Sequence, residues 1–396
     1  MRKGVVLKNK GLYNKELITL GGKLVLTRTL LVPADKESER KLFEIEKVKG
    51  IYPLDQQLHI DKCPFKITYR MMASIAKEGI RNVSYEKASS EIFEKYNVNV
   101  SPAQVKRITD YVGQLVFADD CKRAEAAKLT ANEKVDWRKR RRRTNDILYI
   151  EFDGSMVETR IETEGSSWKE CKIGLAFLSS DYHIWTGRNG EIRQRVGKRD
   201  IVGIIGSVED FRYHVLALAK RNDYDYCSKV VVITDGAKWI APFVKEVFPR
   251  AIHILDKFHA KENACKFANA VKSGKNQKVD YAKVLNELID AGDVNGLLEV
   301  TKPYENWKSR DGILNFHTYV KSHCNFMNYP EYEKNGYFVG SGAIESGHRY
   351  IMQNRMKQAG QRWNVSTGQG VLSLKSRYEA QKWDEVIGLC KVDFCW

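Results

Sequence analysis

The chain has 396 residues, 43% of them hydrophobic, enough for two or three domains with substantial cores and too apolar for an intrinsically disordered polymer. Its 66 Lys and Arg against 50 Asp and Glu give a formal net charge of +16, which favours a polyanionic partner. No apolar run approaches a membrane span, no apolar stretch follows Met1-Arg2-Lys3, and the eight cysteines form no CxxC pair. These features predict a cytoplasmic protein with reduced thiols and no disulfide framework or zinc ribbon.

Residues 1–50 contain a predicted hairpin, because Gly21-Gly22 precede the β-forming run Lys23–Val32. Residues 51–125 read as a helical DNA-binding domain. Ser84 opens a helix with Ala88, Ile92, Phe93 and Tyr96 at helical spacing. Asn97–Val100 is a short turn, and Ser101-Pro102 is a strong start for a second helix whose inward stripe is Val105, Ile108 and Val112. Gln104, Lys106 and Arg107 lie off that stripe. Helix, turn and capped helix with basic residues outward is a helix-turn-helix pattern, with those three as candidate DNA contacts. Two ordinary packed helices would give the same local pattern.

A basic linker, 126–146, follows. Its core, Trp137-Arg-Lys-Arg140-Arg141-Arg142-Arg143, can neutralise several phosphates. From 147 to 396 the pattern is α/β. Ile147–Phe152, Lys172–Leu178 and Tyr182–Trp185 read as three consecutive strands, with Ser179–Asp181 as a turn. A helix over Val208–Lys220, a buried strand Val230–Thr234, a helix Trp239–Phe248 and a short strand Ala251–Leu255 come next. Residues of about 258–330 read as a helical insertion. The predicted fold class is α/β: a ribonuclease-H-like catalytic core with a helical insertion, preceded by the helical helix-turn-helix domain.

Three carboxylates stand in distinctive settings. Asp153 follows the apolar run Ile147–Phe152 and precedes Gly154. Asp235 follows the buried run Val230–Thr234 and precedes Gly236. Glu345 lies near the start of a helix-like segment, Gly340-Ser-Gly-Ala-Ile-Glu345-Ser-Gly-His348-Arg349. Singly, each has an ordinary explanation: Asp-Gly forms turns, and an acid in a first helical turn complements the dipole. Together, on a basic α/β chain, two strand-end aspartates and a helical glutamate suit a pair of divalent ions that activate a hydroxyl and stabilise the leaving oxygen of a phosphodiester. The expected ions are Mg²⁺, with Mn²⁺ as a substitute, and all three carboxylates are expected ligands. Arg349 shares a face with Glu345, and Arg355, Lys357 and Arg362 follow as candidate grips on the DNA strand. Trp363 could stack on a flipped base, but a place in the core is the expected one. His259, in Asp256-Lys-Phe-His259, is a candidate accessory residue on the scissile phosphate or in proton transfer, and Asp256 a candidate N-cap.

Phe152-Asp153-Gly154, Thr234-Asp235-Gly236, Asp256-Lys-Phe258-His259 and Gly340–Glu345 with Arg355-Met-Lys357-Gln-Ala-Gly360-Gln-Arg-Trp363 resemble bacterial insertion-sequence transposases of the DDE type, in the Kra-like or Lre-like group. The resemblance spans about residues 50–390. It implies cleavage and strand transfer at the ends of a mobile element, with Asp153, Asp235 and Glu345 as the acidic triad. It further implies double-stranded DNA (terminal repeats and target) as partner, a homo-oligomer acting on paired ends near the nucleoid, and neither membrane nor small-molecule cofactor. Two departures stand out: the cysteine-rich amino-terminal motif of many relatives is missing, and Lys257 replaces their aromatic or apolar residue. The alternatives are a ribonuclease-H-type nuclease that only hydrolyses, and a DNA-binding regulator that has lost its chemistry.

Overall fold

The computed structural model describes residues 5–61, 63–131, 144–160, 167–190, 192–309 and 311–391. The chain divides into two compact units, Met1–Ala118 with Ser366–Tyr378 and Lys382–Trp396, and Asp119–Val365 with Glu379–Gln381.

The first unit opens with a long antiparallel hairpin, β1 (Leu7–Thr19) and β2 (Gly22–Pro33), as its β-rich sequence predicts. A buried Asp55 accepts Lys15 Nζ at 3.0 Å and also binds Arg28, tying both strands to the short helix α2 (Pro53–Gln57), which follows α1 (Lys36–Glu46). Then come α3 (Tyr69–Arg81), α4 (Tyr85–Tyr96) and α5 (Pro102–Leu129). Ser84 caps α4 by accepting from Lys87 N, Asn97 ends it in the left-handed region, and Ser101 Oγ accepts from Gln104 N at 3.3 Å to open α5. Val105, Ile108 and Val112 are buried as expected. The second helix of the pair is far longer than a helix-turn-helix reading requires and runs into the segment expected to be linker.

The second unit is built on a mixed five-stranded sheet. Its strands are β3 (Thr144–Glu158), β4 (Trp168–Leu178), β7 (Asp200–Ile205), β8 (Cys227–Thr234) and β9 (Ile252–Leu255), in the spatial order β7-β4-β3-β8-β9. β4 is antiparallel to both β3 and β7, whereas β8 is parallel to β3 and β9 to β8. The third strand of this sheet is not Tyr182–Trp185. That segment belongs to β5 (Tyr182–Thr186), which pairs with β6 (Ile192–Val196) in a separate two-stranded sheet with exposed side chains on β5. The fully buried run Asp200–Ile205 takes its place.

Strand alternation assigns the faces. Phe152 packs on Phe211, Trp239 and Phe243, from α6 (Val208–Arg221) and the start of α7 (Ile240–Val247). Its cross-strand partner Gly174 lets α6 approach, since a Cβ there would stand 3.0 Å from Val215. Tyr149, Glu151, Asp153 and Ser155 therefore share the other face. After β9 the chain is helical: α8 (Lys257–Val271), α9 (Lys275–Asp290), α10 (Val294–Thr301), α11 (Phe316–His323) and α12 (Tyr329–Lys334) form the anticipated insertion. α13 (Gly342–His348) then lies on the Glu151 face and passes into a π-helical turn, Arg349–Gln353; α14 (Val365–Glu379) and α15 (Trp383–Lys391) close the chain. Among the described residues no helix is long and apolar enough to cross a membrane.

Candidate metal centre

Asp153 does not end its strand. β3 continues to Glu158 because β4 keeps pairing with it, through Asp153↔Ile173 as far as Glu158↔Trp168. What stops is the other neighbour: the last β3–β8 pair is Glu151↔Ile233. The carboxylate of Asp153 thus sits where the sheet has lost one strand, a crevice past the carboxyl ends of parallel strands. Its Oδ1 accepts from Gly154 N at 2.6 Å, and its Oδ2 lies 3.3 Å from His348 Nε2.

Asp235 follows directly on β8. Its Oδ1 accepts from Ala237 N at 3.1 Å, so it does shape a turn as Asp-Gly pairs do. The helical insertion braces that turn: Tyr319 Oη donates to the Asp235 carbonyl at 3.3 Å and His323 Nε2 to the Gly236 carbonyl at 2.9 Å. Gly236 has φ +85°, and a Cβ there would come within 2.7 Å of Leu255 and 2.9 Å of His323, so glycine is required.

Glu345 is carried by α13, and the segment leading into it is fastened at successive points. Phe338 N donates to Tyr149 Oη at 3.2 Å. Ser341 N and Oγ both donate to Asp256 Oδ2, the first at 2.5 Å. Ile344 N donates to Glu151 Oε2 at 2.7 Å. Ser341 is the helix N-cap residue, but its hydroxyl turns away from its own helix to Asp256. Two buried acidic side chains, Glu151 on β3 and Asp256 after β9, thereby accept the free amides at the start of α13. Asp256 is also the N-cap of α8, its Oδ1 accepting from His259 N at 2.8 Å, as the sequence suggested.

His259 Nε2 stands 3.5 Å from Glu345 Oε1, and its Nδ1 faces Glu262 Oε2 at 3.7 Å. Ligand atoms of Asp256, His259 and Glu345 lie within 4.8 Å of one another, a group able to hold a metal ion. The group differs from the expected three-carboxylate set, yet the two share Glu345 and are electrostatically joined. Burial, the charge of Asp235 and that of Glu345 push the Asp153 carboxyl up to about 6, while the Gly154 amide and His259 pull it down. Among the described residues the group with ligand atoms within 4.8 Å of one another is Asp256, His259 and Glu345, and Asp153 and Asp235 fall outside it. Glu151, fully buried and near Asp256 and Glu345, is driven up to about 8 despite the Ile344 amide. Burial and Lys357 hold His348 down at about 4, so it is a neutral imidazole beside Asp153.

The remaining candidates separate by exposure. Arg349 is exposed on the π-helical turn. Lys357 binds the Ser155 hydroxyl, two residues beyond Asp153 on the same face of β3. Arg362 is exposed and paired with Glu158 at 2.8 Å. Arg355 is not a DNA grip: it is 2% exposed, its guanidinium 5.1 Å from the centre of the Trp363 ring, and Trp363 is itself core. The helix has already ended by then, so Arg355 folds inward with the turn. In the other unit Gln104 is half-buried, Lys106 is exposed but paired with Asp110 at 2.6 Å, and Arg107 is exposed. Arg140, Arg141, Arg142 and Arg143 lie outside the described residues.

Glu151, Asp256 as a strut, and His348 were missed as site residues. Glu151 left a signal, a lone acid inside the apolar run Ile147–Phe152, which on a buried strand must be bonded.

No curated protein matches the chain. A family model matches residues 29–370, most of the chain, which therefore belongs to the uncharacterised protein family UPF0236.

Proposed function

We propose that the chain is a DNA transposase that cuts phosphodiester bonds and joins strands with divalent metal ions. One observation carries the reading: Asp153 lies on β3, Asp235 follows directly on the adjacent parallel strand β8, and Glu345 is on α13, a helix tied to β3 through Glu151. Three antiparallel strands in succession, followed by two parallel ones, suit a ribonuclease-H-like core, with the helical insertion placed before the glutamate.

Oxygen-rich donors fit Mg²⁺ or Mn²⁺. Such ions would act as Lewis acids on the attacking and leaving oxygens. The chain's own residues do the rest. Asp153 holds its carboxylate where β8 stops pairing with β3, Asp235 follows directly on β8, and the Glu151 and Asp256 bonds fix the start of α13, which carries Glu345. Arg349 and Lys357, flanking the acids, are suited to the phosphates of double-stranded DNA. The basic composition supports binding to terminal repeats and target, and action on paired ends would use a homo-oligomer. A labelled-end assay tests the proposal: flanking DNA incubated with Mg²⁺ or Mn²⁺ should be nicked and joined by the wild type and left intact by Asp235→Ala. Nicking without joined products would favour a hydrolytic nuclease instead.

A further inference from the structure

We propose that His259 is a nitrogen ligand of the metal held by Glu345, so that this position prefers Mn²⁺ to Mg²⁺. The inference rests on the metal-dependent reading above and sharpens it, since an all-carboxylate site gives no reason for a histidine.

The geometry is that of two ligands awaiting one ion. Two donors each ~2.1–2.2 Å from a cation, subtending ~90–110°, stand roughly 3.0–3.5 Å apart. His259 Nε2 and Glu345 Oε1 are 3.5 Å apart, too far for a good hydrogen bond between them. The other ring nitrogen, Nδ1, faces the Glu262 carboxylate. At 3.7 Å that carboxylate is an electrostatic neighbour rather than a hydrogen-bond partner, and Nε2 is the ring nitrogen turned toward Glu345. The backbone of His259 is held as well, because its amide donates to the fully buried Asp256.

Asp256 completes the group by distance only. Its two oxygens already receive the His259 amide and both donors of Ser341, and its carboxylate has no exposure. It acts as the post to which both ligand-bearing helices are tied. Imidazole suits the transition metals, whereas Mg²⁺ keeps to oxygen and water, so a mixed nitrogen–oxygen set shifts preference toward Mn²⁺.

The test uses the full-length protein stripped with chelator and titrated with Mn²⁺, read by electron paramagnetic resonance with echo-envelope detection of nitrogen, and with Mg²⁺ as competitor. Wild type should show nitrogen coupling to bound Mn²⁺. His259→Gln should lose that coupling and bind Mn²⁺ about 10- to 100-fold more weakly, with Mg²⁺ affinity changed less than about threefold and metal-free unfolding unaltered. Glu262→Gln should keep the coupling while weakening Mn²⁺ by a smaller factor. Absence of nitrogen coupling in the wild type, or Mn²⁺ affinity unchanged in His259→Gln, overturns the assignment even if DNA is cut. Nitrogen-coupled Mn²⁺ in a protein that cuts no DNA would support the ligand and overturn the transposase reading alone.

Discussion

Replacing Asp153 by Asn should stabilise the metal-free protein while abolishing its chemistry. The carboxyl is pushed from an ordinary 3.8 to about 6 by burial and by its acidic neighbours. At pH 7.5 that shift of about two units corresponds to ~3 kcal/mol of unfavourable charge. The side chain is 33% exposed, so solvent screening reduces this to roughly 1–2 kcal/mol. For a domain of this size, each kcal/mol is about 2–4 °C, giving a rise in Tm of about 2–8 °C. The sign follows from linkage. The folded pKa lies above the unfolded one, so the stabilising contribution is complete below about 4 and is lost as pH rises through about 6. The mutant should therefore gain nothing at pH 4 and its full advantage at pH 7.5. Differential scanning fluorimetry in EDTA at the two pH values measures it. Added Mn²⁺ should reverse the order, because only the wild type gains a ligand's stabilisation. A mutant less stable than wild type at pH 7.5, or a gap that ignores pH, would refute the claim that these carboxylates are held together against their repulsion.

Three other outcomes follow from the same geometry. Glu151, pushed to about 8, is neutral near pH 7, and its contribution to stability is lost as pH rises through 8. Glu151→Gln should thus stay within ~1 kcal/mol of wild type below pH 7.5 in denaturant titrations, whereas Glu151→Ala leaves the Ile344 amide unpaired and should cost ~1–3 kcal/mol. Asp256→Ala, which strands the Ser341 and His259 donors together, should cost at least as much and depress metal affinity, as fluorimetry and titration calorimetry would report. Arg355→Ala should lower Tm through lost packing on Trp363 with no change in the salt slope of DNA binding, while Arg349→Ala should leave Tm unchanged and reduce that slope by about 1 in binding isotherms at graded salt.

Asp153 and Asp235 were legible because each follows an apolar run and precedes a glycine, whereas Glu345 was legible only from its helical segment. The strand count was harder to read. Tyr182–Thr186 alternates and follows a turn, so it reads as the next strand, but its exposed side chains give the central sheet nothing to bury. Asp200–Ile205 wins the place because every residue in it is buried. Arg355 was misread for a different reason. Its charge, among Arg349, Lys357 and Arg362, suggests a phosphate contact, but the side chain is buried against Trp363. The bonds from Glu151 and Asp256 to α13 join residues 193 and 85 positions apart, which no local pattern encodes.

The central claim is metal-dependent cutting by the triad, and the direct measurement is cleavage of end-labelled DNA from the flanks of this gene by wild type and Asp235→Ala, with Mg²⁺ or Mn²⁺ and with EDTA. Nicks in the flanking DNA that require the metal and vanish in the mutant are the expected result. DNA bound equally by both proteins, and cut by neither, would contradict it.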